Sequence, residues 1–219
     1  MKWIKNILLI SLPATLLLLL MLELIFRFII PAAESPDRFF DKNTNLVKLA
    51  PNQEGVFTMG KTARYRSKWR VNNHGWNHSD DYTFENTGGI PRICIIGDSY
   101  VEAKHIDVAE SMGVILNELL PGYQTYSFGI SGAPFSQYLQ MARYVARHYQ
   151  PDVLVVLLVH NDFDQSIKAY KNTPWFLQLE LNGNSIREIA PVETRFGNKL
   201  KRSALIRYLF FNLKISGAY

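Results

Sequence analysis

The stretch RICIIGDS, residues 92–99, is the part of the sequence that decides the fold. Its first five residues, 92–96, are a short apolar run with β-branched residues that leads into Gly97, a pattern typical of a buried β-strand followed by a sharp turn. Two further runs of this kind follow, at residues 124–128 and at residues 152–159, which read DVLVVLLV. The length and valine content of the last run predict a strand buried on both faces of a parallel sheet.

Helical patterns lie between these strands. Residues 111–120 and 135–149 have apolar side chains at helical spacing, and each segment is followed by a proline. The alternation of strand, helix, strand, helix and strand predicts an α/β domain with a doubly wound (flavodoxin-like) parallel sheet.

Each of the three predicted strands leads into polar, small or turn-forming residues. These segments are residues 97–99, 129–132 and 160–162. The carboxyl ends of parallel strands meet at one edge of a sheet, so we expect the three segments to converge there. A serine after a strand is well placed as a nucleophile, and backbone N–H and asparagine amide groups can bind an oxyanion.

This region resembles the SGNH (GDSL) serine hydrolases over about residues 70–166. Residues 97–99 match the first block of that family, with Ser99 at the nucleophile position. Residues 127–132 are similar to the second block and put Gly132 at the oxyanion-hole glycine. Asn161 matches the oxyanion-hole asparagine of the third block.

The resemblance implies an ester hydrolase acting on acyl esters of glycans, lipids or small molecules. Asp98 and His160 are further candidates for the pocket, and we expect no metal and no cofactor. Ala103, Ser127 and His160 depart from the family's usual residues, and each departure would reshape the pocket.

The catalytic base of the family is missing from its expected place. That base is a histidine three residues after an aspartate, near the C-terminus, and serine needs such a partner. The chain has five histidines, none of them in this pattern and none after His160. His105 and His160 are the alternatives, but the simpler expectation is that the chain is a truncated version or a fragment of a longer enzyme.

The N-terminus predicts a membrane helix. Residues 7–30 are almost wholly apolar and follow two lysines; at ~1.5 Å per residue they are long enough to cross a bilayer. Pro31-Ala32-Ala33 is a weak cleavage site for a signal peptide, so an uncleaved signal-anchor is the favoured interpretation. Both interpretations place residues 34–219 outside the cytoplasm, in the periplasm or at the cell surface.

Composition and charge divide the chain further. With 219 residues and a single cysteine, it has neither an internal disulfide nor a cysteine-based zinc site. We expect the anchor at residues 1–33, an extension at 34–90 and the hydrolase-like domain at 91–219. The net charge of +5 comes from the two ends, which argues against a nucleic-acid-binding protein.

Two basic segments have open interpretations. In residues 64–71, RYRSKWRV, basic residues fall on every second position, as in a half-buried strand. Their face could bind anionic glycans or lipid headgroups, but an ordinary solvated strand face is the preferred interpretation. Residues 200–213 predict a basic amphipathic helix. The leading function is ester hydrolysis; O-acyl transfer and a non-catalytic envelope scaffold or glycan-binding protein are the alternatives.

Overall fold

The structure is a computed structural model that describes residues 7–183, 185–192 and 201–215. These residues form two compact units. The first consists of residues 7–35, 56–66 and 201–215, and the second of residues 36–55, 67–183 and 185–192. The predicted division at residues 34–90 and 91–219 stays a prediction, although much of the extension packs in the same unit as the α/β segment.

The helices and strands have the following bounds. The strands are β1 (Arg38–Asp41), β2 (Leu46–Leu49), β3 (Gln53–Met59), β4 (Tyr65–Val71), β5 (Arg92–Gly97), β6 (Gln124–Gly129), β7 (Val153–Val156), β8 (Gln178–Asn182) and β9 (Ser185–Ile189). The helices are α1 (Leu12–Leu24), α2 (Ser99–Glu102), α3 (Met112–Leu119), α4 (Phe135–His148), α5 (Asn161–Ser166) and α6 (Ala204–Arg207). A 3-10 turn lies at Val108–Glu110, and π-helical turns lie at Ile7–Ser11, Ile25–Ile29 and Tyr208–Asn212.

The first unit contains the apolar N-terminal helix. Within it, Leu9–Ile29 has a mean hydropathy of 2.4 and is long and apolar enough to cross a membrane, which fits an anchor or a signal sequence. Most of its leucines are exposed, as expected of a helix whose apolar side chains face lipid. The predicted helix at residues 200–213 is found as α6 and the following π-helical turn, while residue 200 lies outside the described residues.

The second unit is built on a parallel three-stranded sheet in the order β6-β5-β7. The mixed α/β class and the parallel sheet are therefore confirmed. The strand pairs β1-β2 and β8-β9 are antiparallel hairpins in the same unit. Aromatic side chains make up much of the core, including Trp76, Tyr82, Phe128 and Tyr149.

The prediction that residues 152–159 are a strand buried on both faces is wrong. The strand is limited to β7, and its four residues are each 38–46% exposed. β7 is the outer strand of the three-stranded sheet, so only β5 pairs with it in the described part of the chain. An apolar run shows what a segment prefers, but it does not show whether neighbouring elements cover it.

The alternation predicted for residues 64–71 is largely confirmed by β4. Trp69 and Val71 are buried and Lys68 is exposed, but Tyr65 is exposed where burial is expected. Arg70 is not a free cation of this face, because its Nη2 lies 2.8 Å from Asp81 Oδ1. The ordinary interpretation of this strand face remains the preferred one.

Candidate functional site

Ser99 is the first residue of α2, directly after the central strand of the sheet. Its side chain is half-buried, and its Oγ donates a hydrogen bond to Asp98 Oδ2 at 3.2 Å. Asp98 is buried and caps α2, because its Oδ1 accepts from the backbone N–H of Tyr100 at 3.0 Å. The aspartate thus fixes the turn that presents the serine hydroxyl.

Two glycines allow α2 to lie this close to the sheet. A Cβ on Gly129 would lie 2.1 Å from the backbone nitrogen of Glu102, and a Cβ on Gly97 would lie 2.5 Å from Val101 Cγ2. Backbone cannot move aside as a flexible side chain can, so Gly129 is required by close approach. The glycine at the end of β6 therefore sets the position of the helix that carries Ser99.

The ends of the three parallel strands lie at one edge of the sheet, as expected. Gly97 pairs with Gly129 across β5 and β6, and the N–H of Ile130 donates to Gly97 O at 3.4 Å. On the other side, the N–H of Leu157 donates to Ile96 O at 2.9 Å. The segments that follow, which contain Ser99, Gly132 and Asn161, therefore leave the same edge.

Gly132 lies in the turn between β6 and α4. Its φ is +79°, a left-handed conformation that favours glycine, and it is exposed. A Cβ there would lie 3.7 Å from Phe176 Cε2, which is an ordinary contact. The backbone conformation, rather than crowding, is what requires glycine at this position.

Glu102 is a member of the site that the sequence did not indicate. This carboxylate is 1% exposed, and its Oε2 accepts a hydrogen bond from the backbone N–H of Ser131, next to Gly132. Lys104 Nζ lies 3.4 Å from Oε1 and Arg38 Nη2 lies 3.8 Å from Oε2. Glu102 thus connects the helix of the candidate nucleophile to the loop of the candidate oxyanion hole.

The ionisation of Glu102 follows from these contacts. Burial alone would raise the pKa of its carboxyl, but the charges of Lys104 and Arg38 and the hydrogen bond from Ser131 hold the pKa below its ordinary value. Glu102 is therefore a carboxylate at neutral pH. The sequence gives only a weak indication of this role, since a glutamate three residues after a serine is usually a solvent-exposed residue of a helix.

The third segment is organised by Asp162 rather than by Asn161. Asp162 is fully buried, and its Oδ2 accepts from the Tyr138 hydroxyl at 2.9 Å and from the Val159 N–H at 2.8 Å. Asn161 beside it is half-buried and begins α5, while His160 is exposed at the preceding position. The aspartate holds the turn that positions both neighbours.

Asp162 also connects this segment electrostatically to Asp98. Burial raises the pKa of the Asp162 carboxyl, hydrogen bonds from Val159 and Tyr138 lower it, and the negative charge of Asp98 raises it again. Burial likewise raises the pKa of Tyr138, which keeps its hydroxyl a donor. The first and third segments therefore share one electrostatic environment.

Three of the five histidines have structural roles in the aromatic core. His74 Nδ1 lies 2.5 Å from the Tyr149 hydroxyl, and the His148 ring packs 4.8 Å from that of Tyr144. His78 is fully buried, its Nδ1 accepts from the Asp80 N–H, and burial lowers its pKa.

The remaining two histidines, His105 and His160, are exposed. His160 follows the end of β7 and precedes Asn161, so it belongs to the same edge of the sheet. Across the described ranges, the structure contains no group of three histidine, cysteine or acidic residues that could hold a metal ion.

No model of a known protein family matches the chain. A comparison with curated proteins likewise finds no match. The case for a function therefore rests on the residues of the sheet edge and their geometry.

Proposed function

We propose that the protein is a membrane-anchored ester hydrolase of the SGNH type. Ser99 is the nucleophile, and the Gly132 N–H and the Asn161 amide bind the oxyanion. The substrate class is acyl esters of the cell envelope, on glycans, lipids or small molecules. The doubly wound arrangement of the sheet and the extracytoplasmic orientation of the α/β unit are parts of this proposal.

One observation carries the proposal. A half-buried serine stands at the start of a helix directly after the central parallel strand, and the ends of both neighbouring strands leave the same edge beside it. This is the position at which open α/β sheets bind ligands. Gly129 and Glu102 support it, because they fix the helix of Ser99 and the loop of Gly132 against each other.

The chemistry would proceed through an acyl-enzyme. The Ser99 oxygen attacks the ester carbonyl, its proton passes to a base, and the carbonyl oxygen becomes an oxyanion. Each hydrogen-bond donor to that oxygen is worth about 3 kcal/mol of transition-state stabilisation. The alcohol then leaves with the proton, and water releases the acid in a second attack by the same route.

The base of this reaction does not lie at the position usual for the family. No histidine of the 219 residues lies three positions after an aspartate. His160 is the histidine of the described sheet edge, where it neighbours Asn161. If an alcohol replaces water in the second attack, the same site performs O-acyl transfer.

A second candidate is a non-catalytic envelope protein with the same scaffold. The observation that favours it is the hydrogen bond from Ser99 Oγ to Asp98, since an activated serine instead donates to its base. In this case the sheet edge binds a glycan or another partner without turnover.

Labelling with a fluorophosphonate separates the two candidates. The full chain is expressed in membranes from its natural coding sequence, including any codons that follow Tyr219, and the labelled peptide is identified by mass. The hydrolase predicts an adduct at Ser99 and turnover of a short acyl ester, both of which Ser99→Ala abolishes. Ser185→Ala is the matched control, because Ser185 is an exposed serine of the same unit and should leave both signals unchanged.

A folded protein without a Ser99 adduct would reject the hydrolase and favour the scaffold.

A further inference from the structure

The segment of residues 201–215 is bound to the end of the apolar N-terminal helix. The Glu23 carboxylate accepts hydrogen bonds from Ser203 Oγ at 2.8 Å and from the N–H groups of Ala204 and Leu205 at 2.9 Å each. Glu23 also pairs with Arg27 at 2.6 Å. An acidic residue within the candidate span is thus fully engaged in capping α6.

Apolar packing supports the same connection. The rings of Phe26 and Tyr208 stack with their centroids 3.7 Å apart, and Tyr208 donates its hydroxyl hydrogen to Lys61 O. Ala32 and Ala204 complete this small core. The segment is therefore held in a fixed position beside the end of the span, and the contacts exist only if the helix is retained.

Several apolar side chains of this segment are exposed. Phe210, Leu213 and Ile215 are 48%, 37% and 61% exposed. At the end of the span itself, Phe28 and Ile29 are 73% and 69% exposed. Single exposed apolar residues are ordinary. A group of exposed apolar side chains on two hydrogen-bonded segments indicates a binding surface.

The charge of the segment points to what covers it. Residues 201–215 contain Lys201, Arg202, Arg207 and Lys214 and no acidic residue. Arg202 and Lys214 are exposed. Basic residues beside exposed phenylalanine and leucine are typical of helices that lie in the interface of an anionic bilayer.

We propose that residues 201–215 are a second membrane-binding element, which lies in the headgroup region of the bilayer that the N-terminal helix crosses. The covering partner is lipid, because the span brings this segment to the bilayer surface and Glu23 fixes it there. Its exposed apolar side chains reach the acyl chains, and the exposed Arg202 and Lys214 contact anionic headgroups.

An environment-sensitive fluorophore tests this proposal in the full chain. Phe210→Cys is labelled with a nitrobenzoxadiazole dye and reconstituted in nanodiscs that contain phosphatidylglycerol and phosphatidylcholine. The natural Cys94 is fully buried, and the unsubstituted chain measures any labelling of it. Leu119→Cys, at a leucine that is 68% exposed in the other unit, is the matched control.

We expect blue-shifted emission at position 210 and about threefold stronger quenching by acyl-chain spin labels than at position 119, since interfacial helices lie ~5–10 Å into the boundary. Nanodiscs of phosphatidylcholine alone should weaken that quenching. Water-like emission at position 210 would overturn the proposal. Blue-shifted emission without quenching by lipid spin labels would also overturn it, because protein would then cover the segment.

Discussion

Arg92 provides the sharpest test of what holds the α/β unit together. Its side chain is 1% exposed, and all five of its guanidinium N–H groups have an acceptor. The acceptors are the Gln124 side chain and the backbone carbonyls of Tyr149 and residues 83–85. One cation therefore ties the extension and the end of α4 to the first residue of the central strand.

The substitution Arg92→Lys keeps the positive charge but replaces the planar guanidinium group by an ammonium group. An ammonium has three N–H donors against five, so at least two carbonyl or amide acceptors lose their partner. At about 1.5 kcal/mol or more for each hydrogen bond to a charged group, the free energy of unfolding falls by about 3 kcal/mol or more. For a unit of this size, that loss lowers the melting temperature by about 6–12 °C.

The assay is thermal unfolding of the full chain in detergent micelles, followed by near-UV circular dichroism of the aromatic core. Arg187→Lys is the matched control, because Arg187 is an arginine of β9 whose side chain is 69% exposed and pairs with Glu180. A surface ion pair contributes about 0–1 kcal/mol, so this variant should melt close to the original protein. Equal shifts in the two variants would refute the reasoning from buried donors.

Hydrogen exchange gives a local measurement of the same effect. In Arg92→Lys, the amides of residues 83–85 should exchange faster, because their carbonyl groups no longer anchor the segment. Unchanged exchange there would mean that other contacts hold the extension.

Three further predictions concern the sheet edge. Gly129→Ala should unfold the α/β unit or strongly lower its melting temperature, since the added Cβ would lie 2.1 Å from a backbone atom. Gly122→Ala is the control, because a Cβ there meets nothing within 4 Å and should leave the melting temperature unchanged. Equal melting temperatures of the two variants would contradict the close approach at Gly129. The lowered pKa of Glu102 contributes stability above pH 4.5, and this contribution is lost as the pH falls toward the pKa of the folded state. Glu102→Gln should therefore have a lower free energy of unfolding at pH 7. In denaturant titrations, its stability should also depend less on pH. In the part of the chain that the structure describes, β7 is an outer strand with one unpaired edge. Val155→Lys should therefore reduce light scattering by the chain, because a lysine protects such an edge, while Leu119→Lys, outside the sheet, should not.

The sequence predicts two of the three parallel strands, β5 and β6, closely. β5 and β6 each differ by one residue from their predicted bounds, because a short apolar run between turn residues has few alternatives. The parallel order alone explains why the segments that contain Ser99, Gly132 and Asn161 leave one edge of the sheet. The catalytic roles assigned to these residues stay predictions.

The parts that sequence reasoning misses are buried charges. Glu102 and Arg92 look like surface residues in the sequence. Four of the five acceptors of Arg92 are backbone carbonyls, which carry no residue signature, and Glu102 pairs with the backbone N–H of Ser131 and with Arg38, both far away along the chain. The exposure of β7 is missed for a related reason, because whether a strand is buried depends on segments that are distant in the sequence. Local patterns report what a residue prefers, whereas burial of a charge depends on where the rest of the chain brings its partners.

The contact between Glu23 and residues 203–205 has a consequence for the order of biogenesis. The two sides are separated by about 180 residues, so the N-terminal helix leaves the ribosome long before its partner is made. Until then the Glu23 carboxylate can pair only with nearby groups such as Arg27, one turn away. The capping of α6 must therefore wait until residues 203–205 have been made, and completion of the first unit is a late step of assembly.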